Sequence, residues 1–192
     1  MTMDPETSPL RYRLRVDLLD SDPPIWRSLW VRADTPLTEL PNILAAVMGW
    51  SGQAEYQIKA QTPSGSLSST EANSSLRLSS MLRHPGDSLR YTYAPALGWL
   101  HRVALEAVEP APPDDPLPSC IAGERHCPPE FCAGVWGYED LLDRLNDPED
   151  PDYADLWEQT GYDFDPEKFN LEAANQRLRT APKPSIDESP PP

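Results

Sequence analysis

The chain has 192 residues and a formal net charge of −15, from 16 basic and 31 acidic side chains. A surface that acidic repels phosphate backbones, which argues against general nucleic-acid binding unless a local basic patch offsets it. No apolar run approaches the roughly 20 residues that span a bilayer, and the opening residues lack the cationic and apolar regions of a signal peptide. Three cysteines are too few, and odd in number, for a secreted disulfide framework, so the expectation is a soluble cytoplasmic protein.

Residues 1–9 read as a disordered lead. From Leu10 to Leu19 the pattern alternates, with Tyr12, Leu14, Val16 and Leu18 on one face and Arg11, Arg13, Arg15 and Asp17 on the other, which predicts a half-buried strand. After the turn at Asp20-Ser-Asp-Pro-Pro24, residues 25–32 predict an antiparallel partner whose Trp26 and Trp30 share a face. Leu40, Ile43, Leu44, Val47 and Met48 then follow helical spacing, with Thr38 as the expected cap, Pro41 tolerated in the first turn and Gly49 as the stop. The opening is therefore ββα.

A shorter strand is expected over 55–61, with Tyr56, Ile58 and Ala60 inward, then a loop or weak hairpin around Gly65 and a helical turn over 76–82. Residues 88–93 and 100–108 predict a hairpin across Ala94–Gly98, with Val103, Leu105 and Ala107 opposed to Arg102, Ala104 and Glu106. A proline-rich connector over 110–118 leads into a cysteine stretch. Helices are predicted over 138–145, 151–159 and 171–178, the last capped by Asn170, with a turn opened by Asp165-Pro166 between them. The fold class is α+β: an antiparallel-rich mixed sheet of about five to six strands with one packed helix, followed by a C-terminal helical segment. The division expected is a sheet part at 10–109, a crossover at 110–137 and a helical part at 138–179, with a disordered tail at 180–192.

The segment from Cys120 to Tyr138 concentrates reactive residue types. Cys120, Cys127 and Cys132 are spaced C-x6-C-x4-C, and zinc takes four ligands in a tetrahedron, often three cysteines and a histidine. Neighbouring side chains of an extended segment point opposite ways, so His126 beside Cys127 is a poor fourth ligand and His101 a better one. Competing readings are a set of small buried residues bracing the crossover, a Cys127–Cys132 disulfide, and a cysteine nucleophile with a histidine base. No phosphate loop, His-Glu-x-x-His or nucleophile elbow occurs in the sequence.

Several short motifs occur in a characteristic order: Pro23-Pro24-Ile-Trp-Arg27, Met48-Gly49-Trp50, Tyr91-Thr-Tyr93, Trp99-Leu-His101, Cys127-Pro-Pro-Glu130, Cys132, Trp136-Gly-Tyr138 and Phe164-Asp-Pro-Glu-Lys-Phe169. Together they resemble the plasmid pRiA4b ORF-3-like family over residues 10–179. The resemblance implies a compact α+β domain of bacteria and mobile elements, and no established activity. It also marks departures. Pro41 stands where the family usually has histidine. Ser51-Gly-Gln-Ala54 and Ala94-Pro-Ala-Leu97 stand where it has Asp-Asp-x-His and Asp-Phe-Gly-Asp, and Phe131 interrupts its Pro-Pro-Glu-Asp-Cys run. Of such a polar cluster this chain retains His101 and Glu130.

Two functions follow as expectations. The first is a non-enzymatic accessory or protein-interaction domain, with a protein partner, no membrane, and a structural zinc as the one cofactor the residues suggest. Trp26, Trp30 and Trp50 are its candidate contacts. The second is a metal-dependent enzyme, or a mobile-element-associated protein acting on nucleic acid or phosphoesters. Its site would involve His101, Glu130 and the cysteines, with Trp50, Trp99 and Trp136 nearby.

Overall fold

Alternation in β1 (Leu10–Leu18) decides the two faces of the sheet. Tyr12, Leu14, Val16 and Leu18 are buried, and the arginines between them are only partly covered. The computed structural model describes residues 9–62, 65–69 and 76–181. The expected lead and tail, apart from Pro9, Thr180 and Ala181, lie outside the described residues, as do 63–64 and 70–75 of the expected loop.

β2 (Ile25–Arg32) pairs antiparallel with β1, as predicted, opposing Leu18 with Ile25 and Arg11 with Arg32. α1 (Leu40–Met48) follows and buries its apolar stripe of Leu40, Ile43, Leu44, Val47 and Met48. Its start differs from the expectation. The Glu39 amide bonds the Pro36 carbonyl (2.9 Å), which takes Thr38 into a turn and leaves Glu39 as an N-cap without a side-chain bond. Gly49 ends the helix at φ +88°, a left-handed conformation in which glycine is unstrained.

β3 (Tyr56–Thr62) and β4 (Gly65–Ser69) form the hairpin around Gly65. After the one-turn α2 (Leu78–Met81), β5 (Ser88–Tyr93) and β6 (Trp99–Pro110) pair across Ala94–Gly98. The fold is the expected α+β; among the described residues the sheet order is β4-β3-β5-β6-β1-β2-β7, every pair antiparallel, with one strand more than expected. The extra strand is β7 (Ser119–Glu124). The sequence pattern suggested a crossover at Cys120; instead β7 pairs with β2 and forms one sheet edge.

Two irregularities matter. In β6 the register against β1 shifts between Arg13 and Leu14, which face Ala107 and Leu105, so Glu106 is an extra residue. The bulge reverses the alternation beyond it. Ala107, expected on the buried face with Val103 and Leu105, lands opposite Arg13, and Glu109 lands opposite Arg11. On β7, the Asn175 side chain accepts from the Cys120 amide (2.8 Å) and donates to the Cys120 carbonyl (2.9 Å), closing part of an otherwise open edge.

α3 (Gly134–Leu145) starts a turn earlier than the predicted Tyr138. Gly134 sits at φ +70°, and a Cβ there would stand 2.7 Å from the Leu97 carbonyl oxygen, so only glycine admits this approach. α4 (Tyr153–Thr160) follows, then α5 (Leu171–Thr180), whose Asn170 cap accepts from the Ala173 amide as predicted. α5 packs on α1 and β7. Among the described residues no helix is long and apolar enough to cross a membrane.

Candidate functional site

Gly49 turns the chain at the end of α1 so that Trp50 enters the core. Its ring stacks on Tyr93 (5.0 Å between centroids, 13° between planes), tilts against Trp99 (5.2 Å) and meets His101 edge-on (5.4 Å). The Trp50 Nε1 donates to the Pro128 carbonyl (2.9 Å), which ties α1, the β5–β6 hairpin and the Cys127–Glu130 run into one block. Trp50 is therefore buried and is not the surface contact expected of it.

Glu130 lies beside this block. Its carboxylate accepts from the Ser51 amide (2.6 Å), the Ser51 hydroxyl (2.8 Å) and the Tyr93 hydroxyl (2.5 Å). Desolvation pulls its pKa up, but the bonds from Tyr93 and Ser51 outweigh that and hold it below the usual carboxylate range. Glu130 is thus an acceptor already occupied by its own fold. His101 is 0 % exposed, its ring nitrogens make no well-formed hydrogen bond among the described residues, and burial, outweighing the nearby backbone of Tyr91 and Trp99, lowers its pKa to about 4, so the imidazole is neutral at pH 7. Of Glu130, Trp50, Trp99 and Trp136, the fold brings the first three together with His101. Trp136 is left outside, 81 % exposed on α3.

The four side chains suggested for zinc are not brought together. His101 faces Leu18, Leu18 faces Ile25, and Cys120 faces Leu29. Three strand spacings across and four residues along put His101 about 19 Å from Cys120, far beyond a shared ion. Sequence spacing could not show this, because a crossover at Cys120 hides its place on the far edge strand. Cys127 instead packs its Sγ 3.5 Å from the Met48 Sδ, and the Cys120 thiol donates to the Ala122 carbonyl (3.4 Å). Among the described residues no group of three or more His, Cys, Asp or Glu side chains is arranged to hold a metal. Burial raises all three thiols, Cys127 to about 12 and Cys132 to about 11, so they are protonated and poor nucleophiles.

Beside this block opens a cavity of about 580 Å³, between the end of α1, the 126–131 run, the 159–170 segment and α5. Arg27 lies in its wall although it is only 2 % exposed. Its Nη1 donates to the carbonyls of Trp26 (2.7 Å) and Glu124 (2.8 Å), its Nη2 to that of Arg125 (2.9 Å), and the Phe169 ring covers the guanidinium at 4.2 Å. Phe169 can lie so close because β7 carries Gly123 beneath it: a Cβ there would stand 2.7 Å from the ring. Arg177 of α5 donates through Nε to the Ala46 carbonyl (2.8 Å), at the negative end of α1. Neither arginine was singled out as a site residue, although Arg27 closes one of the quoted motifs. For Arg27 the signal was present: the parity of β2 puts it on the apolar face with Ile25, Leu29 and Val31.

The sequence model of the family described as plasmid pRiA4b ORF-3-like protein matches residues 11–173. The chain belongs to this family. An uncharacterized protein of Sinorhizobium fredii, y4hQ, is 28% identical over 174 residues, which cover 86% of this chain and 89% of that one. The crystal structure of a protein of unknown function from Methanosarcina mazei, MM3350, superposes with a TM-score of 0.77 at 28% identity, covering 86% of this chain and 98% of that one. In this pRiA4b ORF-3-like chain, the motif residues Trp50, Tyr93, Trp99, His101 and Glu130 make the closed block. Arg27, Cys127 and Phe169, also in those motifs, border the cavity beside it.

Proposed function

We propose that this pRiA4b ORF-3-like protein is a non-enzymatic accessory protein that acts by binding a protein partner, without a catalytic metal. The observation that carries this is the state of its reactive groups. His101 is sealed from solvent, Glu130 already accepts three hydrogen bonds, and the thiols are buried and protonated. General acid–base or nucleophilic catalysis needs such groups within reach of a substrate atom. A metal-dependent phosphoesterase would likewise need His101 to reach the ion.

The partner surface proposed is the start of α3 and the loop before it. There Phe131 is 50 % exposed and Trp136 81 % exposed, the kind of uncovered aromatics that anchor interfaces. Nucleic acid is a poor candidate for the opposite face, since Arg11, Arg13 and Arg15 already pair with Glu109, Asp115, Glu106 and Asp17. A cytoplasmic, reducing location agrees with three free thiols.

The test compares affinity capture from native lysate by the parent protein and by a Phe131→Ala, Trp136→Ala double variant of the same melting temperature. A partner retained by the parent and lost by the variant supports the reading. Identical captures, or none, remove it.

A further inference from the structure

The arginines on the cavity side of the sheet lack what the others have. Arg11, Arg13, Arg15, Arg32, Arg125, Arg144 and Arg179 each have a carboxylate within ion-pair distance. Arg83, Arg90 and Arg102 are exposed, and water serves them. Arg27 is buried and Arg177 half-buried, yet neither has an ion pair with any described acid. In a chain with 31 acidic side chains, a buried guanidinium beside a half-buried one, neither with a carboxylate partner, is an expensive arrangement, because a desolvated charge without a counter-charge is strongly unfavourable.

We propose that the cavity is a recognition site for an anionic ligand, whose phosphate or carboxylate group is held by Arg177 in the field of the buried Arg27 charge. This adds a small-molecule site to the partner surface proposed above and does not depend on it.

Donor counting supports the assignment. A guanidinium has five N–H donors. Three of those on Arg27 go to backbone carbonyls, and its Nε has no partner. That Nε is sealed behind the Phe169 ring, so Arg27 acts on the cavity as a buried positive charge and not as a direct donor. Arg177 donates one bond, from Nε, and leaves both Nη groups for a ligand.

The wall also holds three carboxylates, and none of them pairs with either arginine. The nearby thiols are protonated and bring no negative charge. Glu130 is occupied by Ser51 and Tyr93, Asp165 pairs with Lys168 (2.7 Å), and Asp163 is at the exposed rim. The volume of about 580 Å³ falls within the roughly 300–1,000 Å³ of small-molecule sites. Trp50, Phe164 and Phe169 offer apolar surface to the rest of the ligand. The chemical class is therefore a small organic anion: one oxyanion head for the arginines and an apolar or aromatic body for the rings.

The test measures the melting temperature of the full-length protein in titrations of sodium phosphate and of sodium acetate. Sodium chloride holds the ionic strength constant. A saturable rise with at least one of the two anions is expected, and which one acts identifies the head group. Arg177→Gln should weaken that response at least tenfold while melting in chloride within a few degrees of the parent, and Arg177→Lys should recover part of it. Should Arg177→Gln itself unfold, calorimetric titration of the parent with the same anions reads binding directly. The proposal is overturned if neither anion gives a saturable response, or if Arg177→Gln responds as the parent does. Phe131 also borders the cavity and Trp136 does not, so Trp136→Ala separates the two readings: it should leave the anion response unchanged, and a negative anion result leaves the partner surface standing.

Discussion

The two faces of one sheet treat polar side chains in opposite ways. On the outer face, Arg11 stacks over Trp30 at 4.1 Å and pairs with Glu109 and Asp115, while Arg15 stacks over Trp26 at 3.8 Å and pairs with Asp17. Both cations have an aromatic floor, a carboxylate and a partly exposed side chain, although the Nε of Arg11 is itself buried without a hydrogen bond among the described residues. On the inner face, among the described residues, His101 has no well-formed hydrogen bond at either nitrogen, and Arg27 has carbonyl acceptors but no counter-charge. Trp26 and Trp30, expected as candidate partner contacts, serve as platforms for the arginines. The contrast points to where function lies. A polar group that water and a partner already satisfy is a surface device, whereas one held in the interior without a partner marks a functional site or a burden on stability.

The sharpest test of this contrast is the pH dependence of stability. His101 has a folded pKa near 4 against an ordinary value of 6.5. The unfolded chain takes up a proton between those values and the folded chain does not. Stability is therefore complete above about pH 6.5 and falls as the pH drops toward 4, by about 3 kcal/mol from this residue. Urea unfolding of the parent and of His101→Phe at pH 7 and pH 4.5 should show a much flatter acid limb in the variant; equal slopes would remove the claim that this histidine is held neutral by burial. Next in size is Gly123→Ala, whose methyl would press on Phe169 and on the Arg27 side chain. It should destabilise by about 1–3 kcal/mol, as overpacking does, and should also weaken any anion response, read by the same melting titration. Smallest is Arg13→Ala on the outer face, where Arg13 and Glu106 are both well exposed. A loss under about 1 kcal/mol, shrinking further in high salt, is expected from urea unfolding. A loss as large as that of Gly123→Ala would mean that the two faces do not differ in the way described.

Much of this arrangement is legible in the amino-acid pattern. Period-two alternation marks β1, β2 and the β5–β6 hairpin, and helical spacing marks α1, because both patterns arise from local backbone geometry. Asn170 as a cap and Gly49 as a stop are readable for the same reason. The ordered motifs are enough to place the chain in its family. What escapes depends on neighbours distant in sequence. β7 is hidden because its pairing with β2 and the edge cover from Asn175 come from the other ends of the chain. The bulge at Glu106, which assigns Ala107 and Glu109 to the outer face, is set by the register against β1.

The site divides along the same line. Glu130, Trp50 and Trp99, which residue type and motif position set apart, lie together with His101 in the fold, whereas Trp136, named with them, stands apart. The zinc set does not hold, because sequence spacing says nothing about the distance across three strands. Local pattern in the chain was sufficient for the two faces of the sheet, the stripe of α1 and the family. It took the assembled fold to seal His101, to occupy Glu130, and to bring Arg27 and Arg177 to one cavity. The reason is that burial and charge compensation are properties of what surrounds a side chain, and those surroundings are assembled from segments far apart in the chain.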